Sequence, residues 1–150
     1  MPEEPKRATF VREIMNPQVV VAKPEATARE AAKVMTEGGI GSLIIMKDDK
    51  IDGIVTESDM VKKIIADGGD AEQITLDQIM TAKVITVSDD ATIEEASELM
   101  VENNIKKLPV IRANKLVGIV TATDLISFEP KFIEALGQLL MLRPKTSVAG

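Results

Sequence analysis

The chain has 150 residues, 45% of them hydrophobic but only 2% aromatic, and its formal net charge at pH 7 is −6. It has neither Cys nor His, which excludes disulfides, the usual zinc sites, thiol nucleophiles and the commonest general base, so we predict no catalytic or metal-binding residue. The acidic balance and the scarcity of aromatic side chains argue against binding to nucleic acid, which relies on clustered Lys and Arg and on base stacking.

A polar tail at residues 1–10 opens the chain. It contains no apolar segment of the kind that follows the basic start of a signal peptide. No apolar run elsewhere in the sequence approaches the roughly 20 residues that a membrane span requires. We therefore expect a cytoplasmic protein without a membrane partner.

The sequence from residue 11 onward repeats itself at an offset of 65 residues. The pair Ile14-Met15 recurs as Ile79-Met80, and the sequence Gly-Ile-Val-Thr at 53–56 recurs at 118–121. Such self-similarity indicates two copies of one structural unit. The predicted divisions are an N-terminal tail at 1–10, a first repeat at 11–66, a linker at 67–75, a second repeat at 76–128, and a C-terminal helix and tail at 129–150.

Each repeat begins with a β-branched run, at 19–21 and at 84–87, which predicts a strand. A helix follows, opened in both copies by a Thr with a Glu three residues later, a pattern typical of a capping box. The helices end at Gly and Asn pairs, at 38–39 and 103–104, because these residues tolerate a positive φ. The two capping boxes are Thr27 with Glu30 and Thr92 with Glu95.

Two further strands and a second helix complete each repeat. An apolar run at 43–46 leads through a short polar turn into 51–56, and 108–111 leads in the same way into 116–121, so each repeat predicts an antiparallel hairpin. The order β-α-β-β-α, twice over, predicts an α+β fold in which neither repeat can bury its sheet alone. The remaining predicted elements are second helices at 58–66 and 123–128, a terminal helix at 130–142 and a frayed tail at 143–150.

A duplicated unit of this size that closes with Gly-Ile-Val-Thr-x-x-Asp resembles the CBS motif, and the pair resembles a Bateman module over residues 11–128. The resemblance implies two repeats packed with pseudo-twofold symmetry through their small sheets. It also implies a homodimer. The clefts between the motifs would take an adenosine derivative, AMP, ADP, ATP or S-adenosylmethionine, as an effector, and no cofactor would be required.

The resemblance also assigns the binding residues. Asp59 and Asp124 would accept hydrogen bonds from ribose hydroxyls, with Thr56 and Thr121 beside them. The chemistry is sound, because an ionised carboxylate can accept both donors of a vicinal diol. The other candidates would surround the adenine and the phosphate: Val20, Ala22, Ile85, Val87, Lys106, Lys107 and Pro109.

Two alternatives stay open at these positions. Each Thr and Asp pair can simply cap the helix that follows it, and Lys106 and Lys107 can form a solvated surface pair. In addition, many members of the family carry a basic residue directly before the motif Asp, where this chain has Ser58 and Thr123. This departure counts against a polyphosphate and keeps methylthioadenosine or S-adenosylmethionine open as the ligand.

The function expected from these features is regulatory and not enzymatic. A ligand that enters between the repeats would favour one relative orientation of them through its differential affinity for the two states. The change would then pass to a separate, unidentified regulated protein. The alternative function is a dimerisation or scaffold module whose clefts stay vacant.

Overall fold

The computed structural model describes residues 8–140, in which helices and strands follow one another as the duplicated sequence predicts. The strands are β1 (Val21–Ala22), β2 (Ser42–Lys47), β3 (Lys50–Thr56), β4 (Val87–Ser88), β5 (Lys107–Arg112) and β6 (Lys115–Thr121). The helices are α1 (Val11–Ile14), α2 (Ala28–Gly38), α3 (Glu57–Met60), α4 (Leu76–Ile79), α5 (Ile93–Asn103), α6 (Ala122–Phe128) and α7 (Ile133–Leu140), with a π-helical turn at Val61–Ile65 and a 3-10 turn at Pro130–Phe132.

The strands form two three-stranded mixed sheets, in the orders β1-β2-β3 and β4-β5-β6. In each sheet the short first strand runs parallel to the central strand, and the central strand pairs antiparallel with the third. Both hairpins turn through two residues of positive φ, Asp48 and Asp49 in one and Ala113 and Asn114 in the other. This conformation suits a two-residue turn between twisted strands. The predicted α+β class and the two hairpins are confirmed.

The helix boundaries follow from local capping. Thr92 Oγ1 accepts a hydrogen bond from the backbone N–H of Glu95 at 3.2 Å, and the Glu95 carboxylate accepts one from the N–H of Thr92 at 3.3 Å. In the first repeat, the hydroxyl of Thr27 caps the N–H of Glu30 at 3.1 Å. Gly39 and Asn104 end α2 and α5 in the left-handed conformation. The residues chosen from the sequence therefore do begin and end these helices.

The short helix that opens each sequence repeat packs into the core of the other repeat. Val11 of α1 is fully buried in the cluster that contains Leu108 and Val120, and Leu76 of α4 is fully buried in the cluster that contains Leu43 and Val55. The repeats therefore exchange their first helices. The divisions at 11–66 and 76–128 describe the sequence repeats, whereas the packing units are built from parts of both.

Backbone pairing follows the same exchange. Asn16, after α1, pairs antiparallel with Ile119 of β6, and Thr81, after α4, pairs antiparallel with Ile54 of β3. The two pairs are related by the offset of 65 residues that relates the sequence repeats. This correspondence is the pseudo-twofold symmetry, and it places the two sheets against each other.

The central strands are buried on both faces. Leu43 and Ile45 of β2 point into one hydrophobic cluster, while Ile44 between them is only 1% exposed and points the other way. In β5, Leu108 and Val110 enter the other cluster, and Pro109 between them is also buried. Ile44 and Pro109 lie where the sheets of the two repeats face each other.

Two predicted helices differ in detail from the structure. The helix expected at 58–66 begins at Glu57 and widens after Met60 into the π-helical turn, in which the N–H of Ala66 donates to the carbonyl of Val61 at 2.8 Å. The helix expected at 130–142 begins with the 3-10 turn, because Pro130 cannot continue α6. Residues 141–142 of that helix, and the tail at 143–150, lie outside the described residues.

The Gly of each Gly-Ile-Val-Thr sequence is required by close packing. A Cβ at Gly118 would lie 2.5 Å from Met15 Sδ and 3.0 Å from the carbonyl oxygen of Asn16. We expect Gly118→Ala to lower the free energy of unfolding by about 2 kcal/mol through overpacking of the exchanged segment. Chemical denaturation measures this loss directly.

Gly137 on α7 provides the control for this substitution. A Cβ there meets nothing within 4 Å, so Gly137→Ala is expected to stabilise the protein by up to about 1 kcal/mol through helix propensity. Equal effects of the two substitutions would contradict the packing of Met15 over Gly118.

Candidate functional site

A cleft of about 820 Å³ lies between the two repeats. The end of β3 and the start of α3 form one wall, and the segments that precede β4 and β5 form the other. The lining residues are Gly41, Ile54, Thr56, Glu57, Ser58, Asp59, Val61, Lys62, Thr81, Lys83, Val84, Ile85, Asn104, Ile105, Lys106, Lys107, Pro109, Leu139 and Leu140. The structure thus brings six of the predicted site residues together: Thr56, Asp59, Ile85, Lys106, Lys107 and Pro109.

Thr56 and Asp59 form a reciprocal cap at the start of α3. Asp59 Oδ2 accepts hydrogen bonds from the backbone N–H of Thr56 at 2.8 Å and from its hydroxyl at 3.2 Å. The hydroxyl oxygen of Thr56 in turn accepts from the N–H of Asp59 at 3.3 Å. The capping interpretation of this pair is therefore correct, and the same loop also lines the cleft.

The second oxygen of Asp59 is held by Lys63. Lys63 Nζ lies 3.1 Å from Asp59 Oδ1 and donates to the carbonyl of Ile79 at 2.7 Å. Lys63 therefore ties the motif Asp of the first repeat to the end of α4, the helix that the second repeat contributes to this core. Both oxygens of the Asp59 carboxylate are partnered, so a ribose would have to share or displace one of these contacts.

Thr121 and Asp124 form the same cap at the start of α6, where Asp124 Oδ2 accepts from the N–H of Thr121 at 2.9 Å. The residue that corresponds to Lys63 is Phe128, which has no charge to offer. The two motif carboxylates therefore have different surroundings, although their caps match.

Four lysines line the cleft, and they come from both repeats. Lys106 and Lys107 were predicted from the sequence, whereas Lys62 and Lys83 were not. Four lysines against the carboxylates of Glu57 and Asp59 give the lining a formal charge of +2, in a chain whose net charge is −6. The cleft is therefore a local cationic region on an acidic protein.

Local pattern could have found one of the two lysines that sequence reasoning missed. Lys62 follows Asp59 by three residues, a spacing that puts both on one helix face. Lys83 lies in the segment that pairs with the other repeat, so its place in the cleft depends on the exchange of α4. No pattern within its own repeat indicates that position.

Lys107 is the least solvated of these cations. Its Nζ lies beside Gly41, at 3.0 Å from where a Cβ of that residue would stand, and Glu57 Oε1 lies 3.3 Å from the same point. Burial lowers the pKa of Lys107, the adjacent Lys106 lowers it further, and Glu57 opposes both by raising it. The charged form of Lys107 is thus less favourable in the folded chain than in the unfolded chain.

A stability change with a defined sign follows for Lys107→Met. The folded pKa of Lys107 lies below its unfolded value, so its charge costs stability at neutral pH, and this cost disappears as the pH rises through the folded pKa. We expect Lys107→Met to stabilise the protein at pH 7 by about 0.5 kcal/mol, as relief of unfavourable charge commonly does.

Urea unfolding at pH 7 and at about pH 10 measures this effect, since an unfolded Lys titrates near 10.4. The gain should shrink at the higher pH. The exposed Lys115 serves as control, and Lys115→Met should change little at either pH. A destabilised Lys107→Met at pH 7 would contradict the assigned cause.

The other predicted site residues lie outside this cleft. Val87 is 3% exposed in the core of the second repeat, so only its backbone is available to a ligand. Ala22 lines a separate pocket of about 340 Å³ between β1 and α2. Val20 is 38% exposed, and with Thr121 and Asp124 it occupies the pseudo-equivalent position on the opposite side of the repeat pair. The binding roles of these residues stay predictions.

Two further searches were negative for the part of the chain that the structure describes. No helix between residues 8 and 140 is long and apolar enough to cross a membrane. Within the same residues, no group of three or more Asp or Glu side chains is placed to hold a metal ion.

Comparison with known proteins places both repeats in one family model, described as CBS domain, which matches residues 11–66 and 76–131. An uncharacterized protein of Methanopyrus kandleri is 40% identical over 130 residues, which are 85% of this chain and 66% of that protein. Hypoxic response protein 1 of Mycobacterium tuberculosis is 35% identical over 124 residues, 82% of this chain and 87% of that protein.

Solved structures share the fold. The hexameric CBS-CP12 protein from bloom-forming cyanobacteria matches with a TM-score of 0.76 at 32% identity, over 85% of this chain and 75% of that one. Hypoxic Response Protein I with two coordinated zinc ions matches with a TM-score of 0.71 at 35% identity, over 79% of this chain and 98% of that one. The zinc belongs to that protein, and the present chain has neither Cys nor His.

Proposed function

The chain belongs to the CBS-domain family, and from this membership we propose that it is a regulatory module that binds an adenosine-containing ligand between its two repeats. The candidate ligands are AMP, ADP, ATP and S-adenosylmethionine. One observation carries the proposal. The cleft joins Thr56 and Asp59 of the first repeat to Ile85, Lys106 and Lys107 of the second.

The chemistry of the cleft suits the parts of such a ligand. A volume of about 820 Å³ falls within the range of small-molecule sites. Ile54, Ile85 and Pro109 offer apolar surface to a base, and the Asp59 carboxylate offers acceptors to ribose hydroxyls. The lysines offer cations to a phosphate.

Regulation would come from the position of the cleft between the repeats. A ligand that contacts both repeats favours the arrangement in which both walls are in place, and it can shift that balance only by its differential affinity. We propose that this change is passed to a separate regulated protein, through a homodimer of the chain, and that the chain catalyses no reaction. The hexamer of the CBS-CP12 protein supports self-association of such modules.

A scaffold with a vacant cleft is the second candidate function. The observation in its favour is the Asp59 carboxylate, whose two oxygens are already engaged by Thr56 and Lys63. In that case the motif is structural, and the module acts only through association with other chains.

Thermal unfolding with a panel of ligands separates the two candidates. The chain has no Trp or Tyr, so an external dye must report unfolding. The panel holds AMP, ADP, ATP, S-adenosylmethionine, methylthioadenosine and NAD, with GMP as the control. A ligand present at about 100 times its Kd adds roughly 2.7 kcal/mol of stability, which raises Tm by several degrees. No shift with any adenosyl compound at millimolar concentration would favour the scaffold.

A further inference from the structure

The pseudo-twofold symmetry relates the cleft beside Asp59 to a second position beside Asp124, and the two differ in charge. The first contains Lys62, Lys83, Lys106 and Lys107. Three of these lysines come from the second repeat, and Lys62 comes from the first.

None of the four lysines has a charged counterpart. At the offset of 65 residues that relates the repeats, the corresponding residues are Ser127, Gln18, Gly41 and Ser42. The position beside Asp124 therefore keeps the motif carboxylate but lacks every cation that the first cleft has.

We propose that the cleft beside Asp59 takes the polyphosphate of a nucleoside di- or triphosphate, and that the position beside Asp124 does not, so that one such nucleotide binds per chain. This inference rests on the proposed function and adds to it a ligand class and a stoichiometry. It also reverses the expectation from Ser58 and Thr123, because the cations come from positions other than the one before the motif Asp.

The surroundings of the lysines show why an anion is the matching ligand. Lys106 and Lys107 are adjacent in sequence, and the half-buried Lys107 ammonium has lost part of its water. A bound phosphate oxygen would replace that water and separate the two like charges. The single nearby carboxylate that opposes this, Glu57, leaves the lining with an excess of positive charge.

Lys63 is excluded from this set by its contacts. Its ammonium is engaged by Asp59 Oδ1 at 3.1 Å and by the carbonyl of Ile79 at 2.7 Å. The phosphate would instead contact lysines of both repeats and thereby link them. A nucleoside without phosphate would occupy the same cleft without making that link.

Isothermal titration with adenosine, AMP, ADP and ATP, without divalent cations, tests the inference. We expect the affinity to rise along this series and ATP to bind with a stoichiometry near one per chain. The variant Lys106→Gln/Lys107→Gln should weaken ATP binding by about tenfold or more and leave adenosine binding unchanged. The control variant Lys47→Gln/Lys50→Gln removes the same charge from the exposed first hairpin and should bind ATP as the wild type does.

The outcomes distinguish this inference from the proposed function. If adenosine binds and ATP binds no more tightly, or if two ATP molecules bind per chain with equal affinity, the inference is overturned while the proposed function stands. An unchanged ATP affinity in Lys106→Gln/Lys107→Gln also overturns it. Failure of all four compounds to bind would overturn both.

Discussion

The Val11→Asp variant is expected to lose at least about 4 kcal/mol of unfolding free energy, because it buries an unpaired charge. Val11 is fully buried, in the core of the repeat to which it does not belong by sequence. The effect therefore tests the exchange of α1 as well as burial. Urea denaturation followed by far-UV circular dichroism measures the loss.

The control is Val101→Asp, at a position that is 48% exposed on α5, which should change the stability by no more than about 0.5 kcal/mol. The milder Val11→Ala variant, followed by hydrogen exchange, locates the effect. Protection should fall in β5 and β6 before it falls in β2 and β3. Loss of protection first in β2 and β3 would contradict the exchange of α1.

The second large effect is expected from Asp59→Asn, which should weaken binding of the adenosine ligand by about tenfold to a hundredfold. Hydrogen bonds to a charged group contribute roughly 1.5–3 kcal/mol, and each 1.4 kcal/mol is about a factor of ten in Kd. The Asn carbonyl oxygen can still accept from the N–H of Thr56, so the cap at α3 is largely kept. Calorimetric titration of the variant with ATP gives the change.

Asp124→Asn is the matched variant, because Asp124 makes the same cap at the start of α6. It should reproduce any small loss of stability and bind ATP as the wild type does. If both variants lose affinity equally, the ligand does not distinguish the two positions. If neither variant loses affinity, the motif carboxylates act only as caps.

The parts of the fold that were predictable from the sequence depend on local chemistry repeated twice. The hydroxyls of Thr27 and Thr92 cap their helices, and Gly39 and Asn104 end them, because each acts within a few residues of its own position. The hairpins followed from two apolar runs separated by a short turn. The duplication strengthened each of these inferences, since both copies had to fit one pattern.

The exchange of α1 and α4 could not be predicted in this way. Val11 and Leu76 occupy corresponding positions in the two repeats, and each sequence is equally compatible with packing on its own repeat or on the other. Only the three-dimensional arrangement places Val11 with Leu108 and Leu76 with Leu43. The π-helical turn after Met60 was also missed, because no residue in that segment indicates a wider turn.

The candidate site was predicted in part for the same reason. Asp59 and Thr56 could be found because they belong to a repeated motif, and Lys106 and Lys107 because they are adjacent charges that the first repeat lacks. Lys83 reaches the cleft only through the exchanged segment. The argument from Ser58 and Thr123 against a polyphosphate was incomplete, because it considered one position and not the whole lining.

Hydrogen exchange measured by mass spectrometry with and without ATP tests most directly whether a ligand binds between the repeats. The account predicts slower exchange at 56–62, 83–85 and 106–109, which lie in different parts of the sequence but line one cleft. It predicts no comparable change at 121–127. Protection confined to one repeat, or no protection at any of these segments at saturating ATP, would contradict the proposal.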